Sequence, residues 1–110
     1  MRMMTVLALA AALAGCSIST CLYDWGGYED SLFRMQKPEF SPQKEAQILS
    51  AEIDKTLSRG RQVPPGKFAT LGYFYYRCGD RDAARASFER EKELYPESAW
   101  FIDGMVRRMP

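Results

Sequence analysis

From Tyr28 onward the chain repeats apolar residues at spacings of three and four, the period of helices with one buried face. Tyr28, Leu32 and Met35 keep that spacing after a Gly26-Gly27 pair, which predicts a glycine turn and then a short helix. Residues 36–40, with Pro38, form a connector. Ser41-Pro42 supplies an N-cap and a proline at the first helical position. The helix predicted over 42–59 turns Ala46, Leu49, Ile53 and Leu57 inward, and Gly60 stops it. After Pro64-Pro65-Gly66, residues 67–78 are apolar nearly all round (Phe68, Leu71, Tyr73, Phe74, Tyr75 and Tyr76), as expected of a central helix. Gly79 ends it. Asp80 then caps a helix over 81–94 whose inward face is Ala84, Phe88 and Leu94. Pro96 stops that helix, and a last one over 97–109 places Phe101, Ile102, Met105 and Met109 on one side. No alternating strand pattern competes, so the fold class is all-α.

The N-terminus follows another logic. Met1-Arg2-Met3-Met4 is a short positive start, and residues 5–14 are an apolar run too short for a bilayer span, which needs about 20 residues. Leu13-Ala14-Gly15-Cys16 resembles the bacterial lipobox, which implies cleavage before Cys16 and acylation of its thiol. Several acyl chains on one residue anchor a protein without spanning the membrane. Ser17, where aspartate would favour inner-membrane retention, implies the outer membrane, with the domain facing the periplasm. The expected division is a signal peptide over 1–15, a lipidated tether over 16–24 and an all-α domain over 25–110.

Charge and composition narrow the chemistry. Fifteen basic residues against fourteen acidic ones do not suit a nucleic-acid binder. There is no histidine, which removes the commonest general base, the serine and cysteine triads and the usual zinc ligand. No CxxC pair and no phosphate-binding glycine loop occur. The expectation is a protein that is not an enzyme and has no metal or cofactor. Glu29-Asp30 and Asp80-Arg81-Asp82 read as a turn and a helix cap before they read as acid–base pairs. Arg81 and Arg85 share a helix face, with Glu89 as a solvated partner; a contact with phospholipid headgroups or murein is the alternative reading. Once Cys16 is acylated, Cys21 and Cys78 either close a long loop as a disulfide, worth roughly 4 kcal/mol, or stay as separate thiols.

Residues 65–98 resemble a tetratricopeptide repeat. Phe68 stands in the tryptophan place, Leu71-Gly72 match the Leu-Gly pair, and Tyr75, Ala84, Phe88 and Pro96 fall at the remaining signature positions. Glu91 departs from the pattern where a second alanine is usual, and looser packing is expected there. One repeat cannot bury its own faces, so the helices over 42–59 and 97–109 must cover its two sides. The resemblance implies a concave face at Ala69, Tyr73, Tyr76 and Arg77, with Tyr73, Tyr76 and Arg77 as candidate partner-binding residues. The same tyrosines could instead simply pack against the helix over 42–59.

The whole mature chain is similar to a family of small bacterial lipoproteins whose domain is of unknown function. The Trp25-Gly26-Gly27-Tyr28-Glu29 element, the tyrosine-rich helix and Tyr95-Pro96-Glu97-Ser98-Ala99 followed by Phe101 carry that likeness. Members are often encoded beside a lipoprotein resembling the curli secretion channel, which implies envelope lipoproteins as partners. The expected function is a lipid-anchored scaffolding or protein-binding module. The alternative is a structural or stress-related lipoprotein that contacts membrane or murein without a specific protein partner.

Overall fold

The computed structural model describes Tyr23 and residues 25–109. Among these the architecture is all-helical: α1 (Tyr28–Arg34), α2 (Pro42–Ser58), α3 (Lys67–Arg77), α4 (Arg81–Leu94), a 3₁₀ turn (Pro96–Ser98) and α5 (Ala99–Arg108). Ser41 accepts from the Lys44 N–H and Asp80 from the Ala83 N–H, so both expected caps form. The signal segment, Cys16 and Cys21 lie outside the described residues.

α3 is the centre. On one side Leu49, Ile53 and Ala46 of α2 pack with Phe68, Leu71 and Phe74 of α3, and Tyr28 and Met35 close the edge. On the other, Ala84 and Phe88 of α4 pack with Ile102 of α5, under Tyr75 and Tyr76. α3 and α4 run antiparallel, since mid-helix Gly72 meets Phe88 while Gly66, before α3, meets Glu91 near the end of α4. A Cβ built on Gly72 would lie 2.6 Å from the Phe88 ring. Only a residue without a side chain permits that approach, and a buried ring has little room to give way.

Three residues expected to point inward do not. Leu57, Leu94 and Phe101 are exposed. The inward register of α2 runs Ala46, Leu49, Ile53 and then Thr56, and that of α4 runs Ala84, Ser87, Phe88 and Glu91. At each helix's end a polar residue holds the buried position and its apolar neighbour turns out. Thr56 is affordable there because its hydroxyl donates to the Glu52 carbonyl, and Glu91 because its carboxylate accepts from the Gly66 N–H. The displaced leucines line an open cleft with Val63 and Tyr95. Along α5 only Ile102 is fully buried, and Met105, Val106 and Met109 are half-buried. Glu89 ion-pairs with Lys92 in place of the expected Arg85.

Candidate functional site

The N-terminal end of α3 is built from buried polar groups. Lys67 is 0% exposed. Its ammonium donates to the Trp25 carbonyl at 3.3 Å, stands 3.7 Å from a Glu52 carboxylate oxygen and lies over the Tyr28 ring. The glycine pair makes this possible. Gly26 takes φ 49°, a left-handed conformation, and a Cβ on Gly27 would sit 2.6 Å from the Glu52 carboxylate. Trp25 stacks on Tyr28, whose hydroxyl shares a 2.7 Å hydrogen bond with Thr70. The Trp25-Gly26-Gly27-Tyr28 stretch is therefore a clasp around one lysine.

One carboxylate finishes this end, and a second, Glu45 in the first turn of α2, ties that helix to α1. Glu91, 2% exposed, accepts the Gly66 N–H at 2.6 Å and so caps the start of α3 from a different helix. Burial pushes its carboxyl above the ordinary range, and hydrogen bonds from the backbone of Gly66, Ala69 and Phe68 oppose the shift. Glu45 takes two hydrogen bonds from Arg34 and one from Ser31. The Arg34 bonds, ahead of every other cause, hold it below the ordinary carboxylate range. Each of these groups bonds to a partner on another element, so the arrangement joins elements together. No group of three or more metal-ligating side chains occurs among the described residues, and no helix there is long and apolar enough to cross a membrane.

The exposed flank of α3 is different. Tyr73 and Tyr76 are half-buried and Arg77 is exposed. Arg77 donates to the Tyr73 hydroxyl at 2.8 Å and lies over its ring. A cleft of about 230 Å³ is lined by Tyr73, Tyr76, Met105, Arg108 and Met109 above Phe88. It adjoins another of about 210 Å³ through Tyr73 and Met105, where Leu32, Met35, Ala69 and Phe101 form the walls. A small third cleft shares Tyr76 and Met109 and ends on Arg81 and Arg85. Shared lining residues make one groove, floored by α3 and walled by α1 and α5. It is apolar at the α1 end and bordered by arginines at the other. Thus Ala69, Tyr73 and Tyr76 line the groove, with the two rings partly packed against the core clusters, while Arg77 is not among the lining residues and reaches it through Tyr73.

A family model described as "Domain of unknown function (DUF4810)" matches residues 22–105, well over half of the chain. The chain belongs to the DUF4810 family. The DUF4810 span takes in the Trp25-Gly26-Gly27-Tyr28 clasp, α1 to α4, and α5 as far as Met105, so it holds the buried polar end and the groove except for its border at Val106, Arg108 and Met109. No curated protein and no solved structure is significantly similar to the chain.

Cys78 is half-buried at the C-cap of α3, and burial pushes its thiol up, away from the reactive thiolate; its pairing with Cys21 falls outside the described residues. Lys67, Glu91 and Glu45 were not legible as buried groups. The available signal was register: each sits in line with an apolar residue three or four positions away (Leu71, Phe88 and Leu49). The groove's α1 wall was also missed, because nothing local in Leu32 and Met35 says which helix they will face.

Proposed function

We propose that this DUF4810 protein is a lipid-anchored, non-catalytic protein-binding module of the bacterial cell envelope, held at Cys16 and facing the periplasm from the outer membrane. The observation that carries the binding role is the continuous groove along α3, in which two tyrosines beside a guanidinium stay half-open. Rigid aromatics with an arginine are the residue types that concentrate binding energy at protein contacts. The groove's polarity states the kind of partner: a protein segment with apolar side chains at one end and carboxylates at the other, laid toward Arg81 and Arg85. The lipobox-like Leu13-Ala14-Gly15-Cys16 supports the anchor, and the lack of histidine supports a role without catalysis. The likeness to small lipoproteins makes other envelope lipoproteins, including one resembling the curli secretion channel, the first partners to test.

The test places a photocrosslinking residue at Tyr76 in the intact lipoprotein, in its native envelope. One defined protein adduct is expected, and it should disappear in the Tyr73→Ala/Arg77→Ala variant while circular dichroism and acylation stay unchanged. Because Tyr73 also packs on the core, Arg77→Ala alone is the second arm and should weaken the adduct without touching stability. Adducts that survive in both folded variants would remove the groove from this role.

A further inference from the structure

The largest anomaly of the surface lies outside the groove floor. Trp100 is 78% exposed and Phe101 52% exposed, adjacent on α5 with their rings edge to face at 6.1 Å. Soluble surfaces seldom leave two neighbouring aromatics in water without a use for them. On the same helix Trp100, Gly104 and Arg107 fall at spacings of four and three, and Phe101, Met105 and Arg108 fall likewise on the adjoining line. The outer face of α5 thus carries Trp100 and Arg107, edged by Phe101 and Arg108 on the line that also walls the groove through Met105. The single carboxylate of α5, Asp103, is held by Lys92 at 2.8 Å. Leu32 of α1 lines the same cleft as Phe101, and the residue after it, Phe33, is a further exposed aromatic, 62% exposed with the Lys37 ammonium over its ring.

We infer that this face is a second membrane contact, with Trp100 and Phe101 seated in the interfacial layer of the leaflet that holds Cys16, and with Arg107 and Arg108 on anionic headgroups. The inference rests on the lipid anchor proposed above. From Cys16 to Tyr23 the chain reaches at most about 25 Å, so an anchored domain never leaves the neighbourhood of the bilayer. Tyr23 joins the fold beside Tyr95, ring centroids 6.5 Å apart, and the turn Pro96–Ser98 leads from there directly into α5. The tether therefore reaches the domain close to the start of the aromatic face. Tryptophan favours the headgroup level because its ring is apolar and its N–H is polar, while arginine lies along the apolar surface and keeps its charge among phosphates. A helix with such a face lies in the membrane plane. Anchor and face together give the two attachments that hold a domain in one orientation, with the apolar end of its groove toward the lipid.

The sequence has two tryptophans, so Trp25→Phe leaves Trp100 as the sole reporter and keeps a ring on Tyr28. The full acylated protein is reconstituted in phosphatidylethanolamine and phosphatidylglycerol vesicles, with and without bromine on the acyl chains. The expected result is a blue-shifted Trp100 emission that brominated lipid quenches about twofold or more, with most of that quenching lost in Arg107→Gln/Arg108→Gln. Unquenched, water-like emission from protein that floats with the vesicles and carries its acyl mass would overturn this inference and leave the anchor standing. A mature Cys16 without acyl chains would overturn the anchor and this contact with it. A photoreactive residue at position 100 that captures protein instead of lipid would assign the face to a protein partner and overturn the membrane reading.

Discussion

The middle and the start of α3 are held by opposite means. At its middle, Gly72 lies against Phe88 with no polar atom between them and no space left over. At its start, Lys67, Glu91, Tyr28 and Thr70 hold three helices and the clasp together through directed bonds. The dry contact depends on volume alone, so it answers to side-chain size and is indifferent to pH. The polar end depends on charge and on donors meeting acceptors, so it answers to protonation and tolerates little change of register. A marginal domain of this size uses both: the dry contact fixes how closely two helices approach, and the polar end fixes which part of each faces the other.

The largest effects should come from the dry contact. Phe88→Ala is expected to cost about 3–5 kcal/mol through the cavity it leaves. Gly72→Leu is expected to cost about 1–3 kcal/mol or more, because the new side chain must displace a buried ring. In the double variant leucine enters the space that the ring vacates, so its loss should fall well short of the sum. Arg85→Leu, on the exposed side of α4, should stay within about 0.5 kcal/mol. Chemical denaturation of the four proteins decides the matter. Strictly additive losses would mean that positions 72 and 88 do not share one contact.

At the buried carboxylates, Glu91 facing the start of α3 and Glu45 at the start of α2, the effects should be smaller and should carry a pH signature. Glu91→Ala leaves the Gly66 N–H without its acceptor and is expected to cost about 1–3 kcal/mol. Glu91→Gln keeps an acceptor and removes the charge. Because burial raises the Glu91 carboxyl in the folded protein, its protonated form suits the fold, and stability falls as pH rises from the ordinary carboxylate value, about 4.3, through the raised one. The glutamine variant should therefore match the parent in acid and exceed it at neutral pH. Glu45 has the opposite sign. Its lowered carboxyl contributes stability above the ordinary value, and that contribution disappears as pH falls through the folded one, so Glu45→Gln should lose stability at neutral pH. If denaturation across this range gave both glutamine variants the same pH trend, the contrast between the two carboxylates would fail.

This division explains what could be read from the chain. The helices and their caps were legible because periodicity, Ser41-Pro42 and Asp80 are local signals. Gly72 was legible because the tetratricopeptide pattern marks a close approach there, and the Phe88 ring sits on it. The errors at Leu57 and Leu94 share one cause: hydrophobicity favoured the leucine, while register favoured Thr56 and Glu91. A polar residue can win such a position only if a partner elsewhere satisfies it, and Gly66 is 25 residues away from Glu91. The clasp on Lys67 is harder still, since nothing around that residue announces that Trp25, Glu52 and Tyr28 converge on it. The candidate groove was half legible: its floor follows from helix spacing, whereas its walls come from α1 and α5, whose placement only the assembled fold supplies.

A glycine-to-alanine change sharpens the contrast most, because one substitution should act with opposite signs at two helical glycines. Neither Gly72 nor Gly104 has a positive φ, so neither is required by backbone conformation. At Gly72 an added methyl would lie 2.6 Å from the Phe88 ring, and Gly72→Ala should destabilise by about 1–3 kcal/mol. At Gly104 the nearest atom to that methyl is the tip of Arg107, 4.0 Å away, so the site is open. There the only consequence is reduced freedom of the unfolded chain and better helix propensity, and Gly104→Ala should stabilise by about 0.5–1 kcal/mol. Thermal and chemical denaturation of the two alanine variants should thus move in opposite directions from the parent. If both stabilised, the ring above Gly72 would have to be free to move, and the tight α3–α4 seam would not exist as described. If both destabilised, position 104 would have to be covered in solution, and the outer face of α5 could not be the open surface from which Trp100 and Phe101 reach the membrane.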